Sequence, residues 1–187
     1  MQHDSSRSPG LGVRAVGAHP QVAAPIVSAR DPDWSRESKS FWSWHPSRSL
    51  LASLRAYERA SRGRGIGAAV SRRLAVLRHR FWSIVTGADI PLECRLGGGL
   101  LLPHPNGVVI HPKAEVGPNC LIFQQVTLGE VGGVAPRLGG HVDVGAGAKI
   151  LGGIVVGDDA LIGANAVVLQ DVPAGTTAVG VPARILR

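Results

Sequence analysis

Aliphatic residues recur at every sixth position through the second half of the chain: Ile90, Leu96 and Leu102, with Val108 continuing the phase. After a slip of two residues the register resumes at Ile110, Val116, Ile122 and Leu128. Four extra residues later it resumes at Leu138, Val144, Ile150, Val156, Ile162 and Val168. Glycine follows several of these positions (Gly97, Gly117, Gly129, Gly139, Gly145, Gly157, Gly163), and small residues stand four places on (Ala148, Ala160, Ala166). Neither the 3.6-residue period of a helix nor the two-residue period of a strand generates this spacing. A triangular solenoid does. Each unit is a short strand and a turn, the aliphatic side chain points to the axis, three units close one coil, and stacked coils share parallel backbone hydrogen bonds.

The first half follows other patterns. Leu50, Leu51, Leu54, Tyr57 and Glu58 fall at helical spacing behind Pro46 and Ser47, which suit a helix start. Gly63, Gly65 and Gly67 interrupt, and Ala69, Val70, Leu74, Leu77, Phe81 and Ile84 then form a second amphipathic helix ending near Gly87. Residues 1–40 mix Ser, Pro, Gly and charge without apolar periodicity, too little to offset the entropy of ordering. The expected organisation is a disordered tail over 1–40, an α-helical region over 41–88 and a mainly β domain over 89–187.

Composition sharpens this picture. The 187 residues are 44% hydrophobic but only 4% aromatic, so the core is aliphatic. The net charge of +7 divides unevenly: residues 1–88 carry 14 Lys and Arg against 5 Asp and Glu, residues 89–187 carry 6 against 8 together with 18 of the 25 glycines. The basic half lacks aromatics spaced as a base-stacking platform, which argues against nucleic acid and for a solvated arginine-rich helix face near an anionic surface or ligand. No apolar run reaches the roughly 20 residues of a membrane span. The first thirty residues carry no secretory signal pattern, so a soluble cytoplasmic protein is expected. Cys94 and Cys120 match no metal motif and are expected as small buried apolar residues.

Six strings within the repeat carry a family resemblance: GADIP at 87–91, LPHPNGVVI at 102–110, FQQVTLG at 123–129, VGAGAKILG at 144–152, IGANAVVL at 162–169 and VGVPARI at 179–185. Residues 88–187 resemble the left-handed parallel β-helix of the hexapeptide-repeat acyltransferases, and within them the serine O-acetyltransferase branch. The resemblance implies an acetyl-CoA-dependent enzyme without metal or redox cofactor. It implies a homotrimer, with a dimer of trimers left open, and acetyl-CoA lying between adjacent β-helices. The nominal acceptor is L-serine. The alternatives are a sugar hydroxyl in polysaccharide or glycoconjugate synthesis and a non-catalytic trimeric scaffold.

Acetyl transfer from a thioester to an alcohol needs a base near neutral pH, and imidazole suits it. His104, between Pro103 and Pro105, occupies the motif position of the family's catalytic histidine, and Asp89 that of the acid orienting it. Asp89 also stands close to one full coil before His104, so the repeat alone is expected to stack the two. By resemblance Gly129, Ala146 and Ala164 line the pantetheine channel, and Lys149, Arg184 and Arg187 are candidates for the CoA phosphates. Two departures bear on the acceptor: Pro103 replaces the usual aspartate before the histidine, and the loop EVGGVAPRLGG lacks the family's Arg-His pair. Glu130 and Arg137 are the substitutes available for binding an amino acid's ammonium and carboxylate. His111 and His141 remain weaker candidates for chemistry.

Overall fold

Each coil turns its large aliphatic side chain inward together with the residue two positions before it, as in Ala148 and Ile150 or Ala160 and Ile162, all buried. The alternation of a short strand accounts for the pair, and the small partner leaves room near the corner. The computed structural model describes residues 27–40 and 42–186. Residues 1–26, Phe41 and Arg187 lie outside the described residues, and with them part of the expected tail and one candidate phosphate ligand.

Three parallel faces make a prism of about five coils. Face A stacks Val109–Ile110, Thr127–Gly129, Lys149–Leu151 and Val167–Val168, with Asp89 bridged beneath Val109. Face B stacks Arg95–Leu96, Glu115–Val116, Arg137–Leu138 and Val155–Val156. Face C stacks Leu121–Ile122, Asp143–Val144, Leu161–Ile162 and Thr177–Val179, and Arg184–Leu186 folds back antiparallel on the last of these. At the corner from face B to face C the coils approach so closely that a Cβ on Gly117 would lie 2.3 Å from the carbonyl oxygen of Gly139. Glycine there is a packing requirement.

The register departs from the expected phase in one place. Stacked partners are twenty residues apart at Asp89↔Val109 and Leu101↔Leu121 but eighteen apart at Val109↔Thr127. The two extra residues therefore fall in 103–107, and Val108 is the small inward partner of Ile110 rather than a unit of its own. The four extra residues fall in 130–135, a loop closed by paired hydrogen bonds between Val131 and Val134.

Helix α1 (Pro46–Arg62) and helix α2 (Ile66–Thr86) precede the solenoid. Leu50, Leu51 and Leu54 of α1 join the solenoid core. Helix α2 ends on Gly87 in the left-handed conformation (φ +66°), whose carbonyl accepts the Gly107 N–H and so starts the first coil. Its buried residues are Ala75 and Thr86, and the apolar stripe read from the sequence faces solvent.

Residues 28–37 correct the expectation of disorder for that stretch. They run across the corners between faces B and C, where the buried Asn119 side chain accepts the Asp33 N–H and donates to the carbonyls of Ser28 and Asp31. Trp34 begins a 3-10 turn (Trp34–Glu37) and covers Gly98. Glu37 accepts two hydrogen bonds from Arg55 and one from the Leu100 N–H, while Arg55 also donates to the carbonyls of Leu96 and Gly97. Backbone polar groups of the solenoid corners thus receive partners from the strap, which replaces the apolar burial the strap lacks.

Candidate active site

The corners leading from face C to face A form one column. Gly107 donates to Gly87, Gln125 to Asn106, Gly147 to Gln124 and Asn165 to Ala146, each through backbone N–H and carbonyl. His104 stands on the expanded corner of this column, its side chain exposed between Pro103 and Pro105. Proline fixes the backbone on both sides, so the imidazole projects in a restricted direction. Higher in the column Ala146, half-buried, and Ala164, exposed, occupy matching places in successive coils, where the Asn165 N–H donates to the Ala146 carbonyl.

Asp89 sits at the foot of face A. Its N–H donates to Val108 and its carbonyl accepts from Ile110. The carboxylate is exposed, and among the described residues neither it nor the His104 imidazole has a hydrogen-bond or ion-pair partner. The expected stacking is corrected accordingly. Asp89 registers with Val109, past the His104 corner in the chain, and no hydrogen bond joins the acid to the imidazole.

The other candidates divide. Lys149, on face A beside the column, donates its ammonium to the carbonyl of Gln125. Gly129 lies at the opposite end of its face A strand, where a Cβ would meet Leu151 Cδ2 at 2.8 Å. Arg184 is exposed on the antiparallel end strand. Arg137 lies on face B, its Nε 3.6 Å from Glu115 Oε2 in a ladder with Arg95, which reaches Glu115 Oε1 at 2.7 Å. Glu130 accepts the N–H of Gly133 and stands 3.7 Å from His111 Nε2. Within one protomer neither Arg137 nor Glu130 shares the His104 corner. His141 Nδ1 meets Asp159 Oδ1 at 2.8 Å on a third edge, between faces B and C.

Sequence reasoning missed Gln124. Its Oε1 is buried without a hydrogen-bond partner, in the coil stacked directly on the His104 corner. The available signal was the string FQQ, bulky and polar where the next two coils have Gly-Ala-Gly and Gly-Ala-Asn.

Burial pushes the Cys94 thiol up to about 12 and the Cys120 thiol up to about 11, with nearby carboxylates adding to both, so neither is a nucleophile. No group of three or more metal-ligating side chains occurs among the described residues. A cavity of about 700 Å³ lies between α1 and face B, lined by Arg55, Glu58, Cys94, Arg95 and Glu115 among others, and includes neither His104 nor Asp89.

A parallel solenoid of about five turns behind two helices is the architecture of a hexapeptide-repeat acyltransferase. No family model matches the chain. It is 45% identical over 138 residues to a serine acetyltransferase of Helicobacter pylori strain J99, covering 65% of this chain and 81% of that protein. It is 48% identical over 107 residues to one from Synechococcus elongatus, covering 55% of this chain and 44% of that protein. Soybean serine acetyltransferase without ligand superposes with a TM-score of 0.66 at 38% identity, over 76% of this chain and 58% of the other. A Brucella abortus serine acetyltransferase in complex with coenzyme A superposes with a TM-score of 0.65 at 35% identity, over 76% and 56%. The chain belongs to the serine acetyltransferase family. It spans about half the length of several of these relatives.

Proposed function

We propose that the protein transfers the acetyl group of acetyl-CoA to the hydroxyl of L-serine, with His104 as general base. The hydroxyl oxygen attacks the thioester carbonyl carbon while its proton passes to an imidazole nitrogen. The tetrahedral intermediate then expels the CoA sulfur as the C–S bond breaks, and the imidazolium returns the proton to it. Products are the O-acetyl ester and free CoA thiol. Backbone N–H groups along the small-residue column are the donors available to the developing oxyanion. The column fits a narrow pantetheine chain lying along Ala146 and Ala164. Lys149 at its side and Arg184 at the end strand supply cations for the CoA phosphates. Asp89 acts on the imidazolium once substrate closes the site, a tightening that ligand-free geometry commonly awaits.

One observation carries this reading. His104 projects from an inserted corner, its ring without a partner among the described residues, at the foot of a column of small, solvent-accessible residues. The exposed imidazole and the solvent-accessible column above it suit a homotrimer with acetyl-CoA held between neighbouring solenoids. The chain is expected to release CoA thiol in the presence of acetyl-CoA and L-serine, and His104→Ala to lower kcat at least about 10²-fold, the scale of general-base catalysis. Near-normal turnover by the variant would refute the assignment.

A second acceptor, a saccharide hydroxyl, is favoured by the ion pairing of Arg137 with Glu115 on face B, since free serine needs a cation for its carboxylate and a sugar does not. Thiol release stimulated by a saccharide and indifferent to L-serine selects this reading. Absence of CoA binding by calorimetry selects a non-catalytic scaffold instead.

A further inference from the structure

Gln124 fills the place in the column of corners between faces C and A where the next two coils carry alanine. The hydrogen bonds between coils, from Gln125 to Asn106, Gly147 to Gln124 and Asn165 to Ala146, put Gln124, Ala146 and Ala164 at matching places. Counting forward from face C, where Leu101 pairs with Leu121, the residue beneath Gln124 is His104. Counting back from face A, where Val109 pairs with Thr127, it is Asn106. Gln124 therefore stands one coil, roughly 4.8 Å, above the expanded corner that holds the imidazole.

Its amide is divided between two environments. Oε1 is sealed from water and has no donor, whereas Nε2 lies outside that enclosure and has no partner among the described residues. A bare buried carbonyl costs folding free energy, and packing does not call for one, since the coils above hold alanine at this place. The neighbouring amides are directed elsewhere. A Cβ on Gly87 would lie 2.7 Å from Asn106 Nδ2, so that side chain leans toward the foot of the column. A Cβ on Gly107 would lie 3.3 Å from Gln125 Cγ, which puts the Gln125 side chain over Gly107. The N–H groups of Gln125, Gly147 and Asn165 are already donated to the coil below, and the Lys149 ammonium is held by the Gln125 carbonyl. Between the imidazole and Ala146, the uncommitted side-chain donor among the described residues is Gln124 Nε2.

We infer that Gln124 is a catalytic residue for acetyl transfer, its Nε2 donating to the thioester carbonyl oxygen as negative charge develops there. The inference rests on the proposed reading of the column as the pantetheine channel. A chain lying along Ala164 and then Ala146 brings its thioester to the next place, Gln124, with His104 below to take the hydroxyl proton. As the hydroxyl oxygen bonds to the carbonyl carbon, the π pair moves onto the carbonyl oxygen, and Nε2–H stabilises it without giving up its proton. Expulsion of the sulfur restores the carbonyl and leaves the amide unchanged. A ground-state thioester oxygen is a weak acceptor, so this bond strengthens mainly in the transition state and is felt in kcat rather than in binding. The orphaned Oε1 is then a cost to the fold that function retains.

The test compares three variants of the full chain by thiol release from acetyl-CoA, with whichever acceptor, L-serine or a saccharide, the wild type uses. Gln124→Met keeps the length and removes the donor, Gln124→Glu puts an acceptor in its place, and Gln124→Ala installs the residue that the coils above tolerate. Gln124→Met should lower kcat about 10²-fold, the scale of one oxyanion donor. It should leave the KM for acetyl-CoA and the calorimetric Kd for CoA within about twofold of wild type. Its melting temperature should rise, because the orphaned carbonyl is gone. Gln124→Ala should lose kcat to the same extent, and Gln124→Glu at least as much. A residue that only shapes the fold would lose activity and melting temperature together, and that result overturns the inference. So does a kcat within about threefold of wild type for Gln124→Met or Gln124→Glu, or a loss of kcat matched by an equal loss of CoA affinity. A wild-type chain that neither binds CoA nor releases thiol refutes the acetyl-transfer reading, and this inference with it; an active wild type with an equally active Gln124→Met refutes this inference alone.

Discussion

The role proposed for an imidazole between two prolines rests on direction; a thiol in this solenoid is withheld from reaction by its surroundings. Cys120 is fully buried with its Sγ–H directed at the Gly139 carbonyl oxygen 3.2 Å away, and Cys94 lies half-buried near the carbonyls of Ile110 and His111. Both thiols titrate above the ordinary value of 9.0, so folding favours their neutral form. Their contribution to stability is complete below pH 9 and is lost as pH rises toward 11 and 12, where the folded thiols themselves ionise. A disulfide-exchange reagent at pH 8 should therefore label neither cysteine until urea unfolds the chain. The urea midpoint of the wild type should fall between pH 8 and about 10 more steeply than that of Cys94→Ala with Cys120→Ala. Equal slopes would show that other groups set the alkaline limit.

Among elements, the strap over residues 28–37 depends most on a single side chain. Arg55 ties strap, helix α1 and first coil together: Glu37 on one side, the carbonyls of Leu96 and Gly97 on the other, and the Trp34 ring 5.2 Å from its guanidinium carbon. The side chains of Arg55 and Glu37 are 12% and 9% exposed. Arg55→Met leaves a nearly buried carboxylate with the Leu100 N–H but no cation, and takes the guanidinium donors from two carbonyls. A cost of about 3 kcal/mol in urea unfolding is expected, and Glu37→Gln in the Arg55→Met background should recover part of it by removing the stranded charge. This strap was illegible in the sequence because what holds it is hydrogen bonding to Asn119, 86 residues away in the case of Asp33, and composition records only the missing apolar surface. The solenoid was legible for the opposite reason: each coil repeats the same two demands, an inward aliphatic and a close corner, so the period survives even where units are inserted. Val108 was misplaced in phase because the small and large inward positions both accept valine. His104 is singled out by its motif alone, whereas the orphaned oxygen of Gln124 arises only when coils stack. Helix α2 was readable as amphipathic, but periodicity says which residues share a face and is silent on whether that face turns inward.

At the scale of the whole molecule, the question is whether one chain holds a complete site. His104 and the column of Ala146 and Ala164 lie on one edge of the prism, while Gly129, Glu130 and His111 lie toward the other edge of face A. In the proposed trimer a groove between two solenoids brings the first edge of one protomer opposite a face of its neighbour, so base and channel of one groove come from the same chain and the neighbour supplies the facing wall. Closed three-fold packing would repeat that arrangement at each of three grooves. The consequence can be measured by complementation. Ala164 is exposed, so Ala164→Trp obstructs the channel without disturbing the core. It should be inactive on its own, as His104→Ala should be. Co-expressed in equal amounts, the two variants should stay as inactive as their parents, because every chain carries one of the two lesions. If base and channel instead came from different chains, random mixing would leave about a quarter of grooves with an intact histidine from one chain and an intact alanine from the next, and recovery of about that fraction of wild-type turnover would overturn the same-chain arrangement.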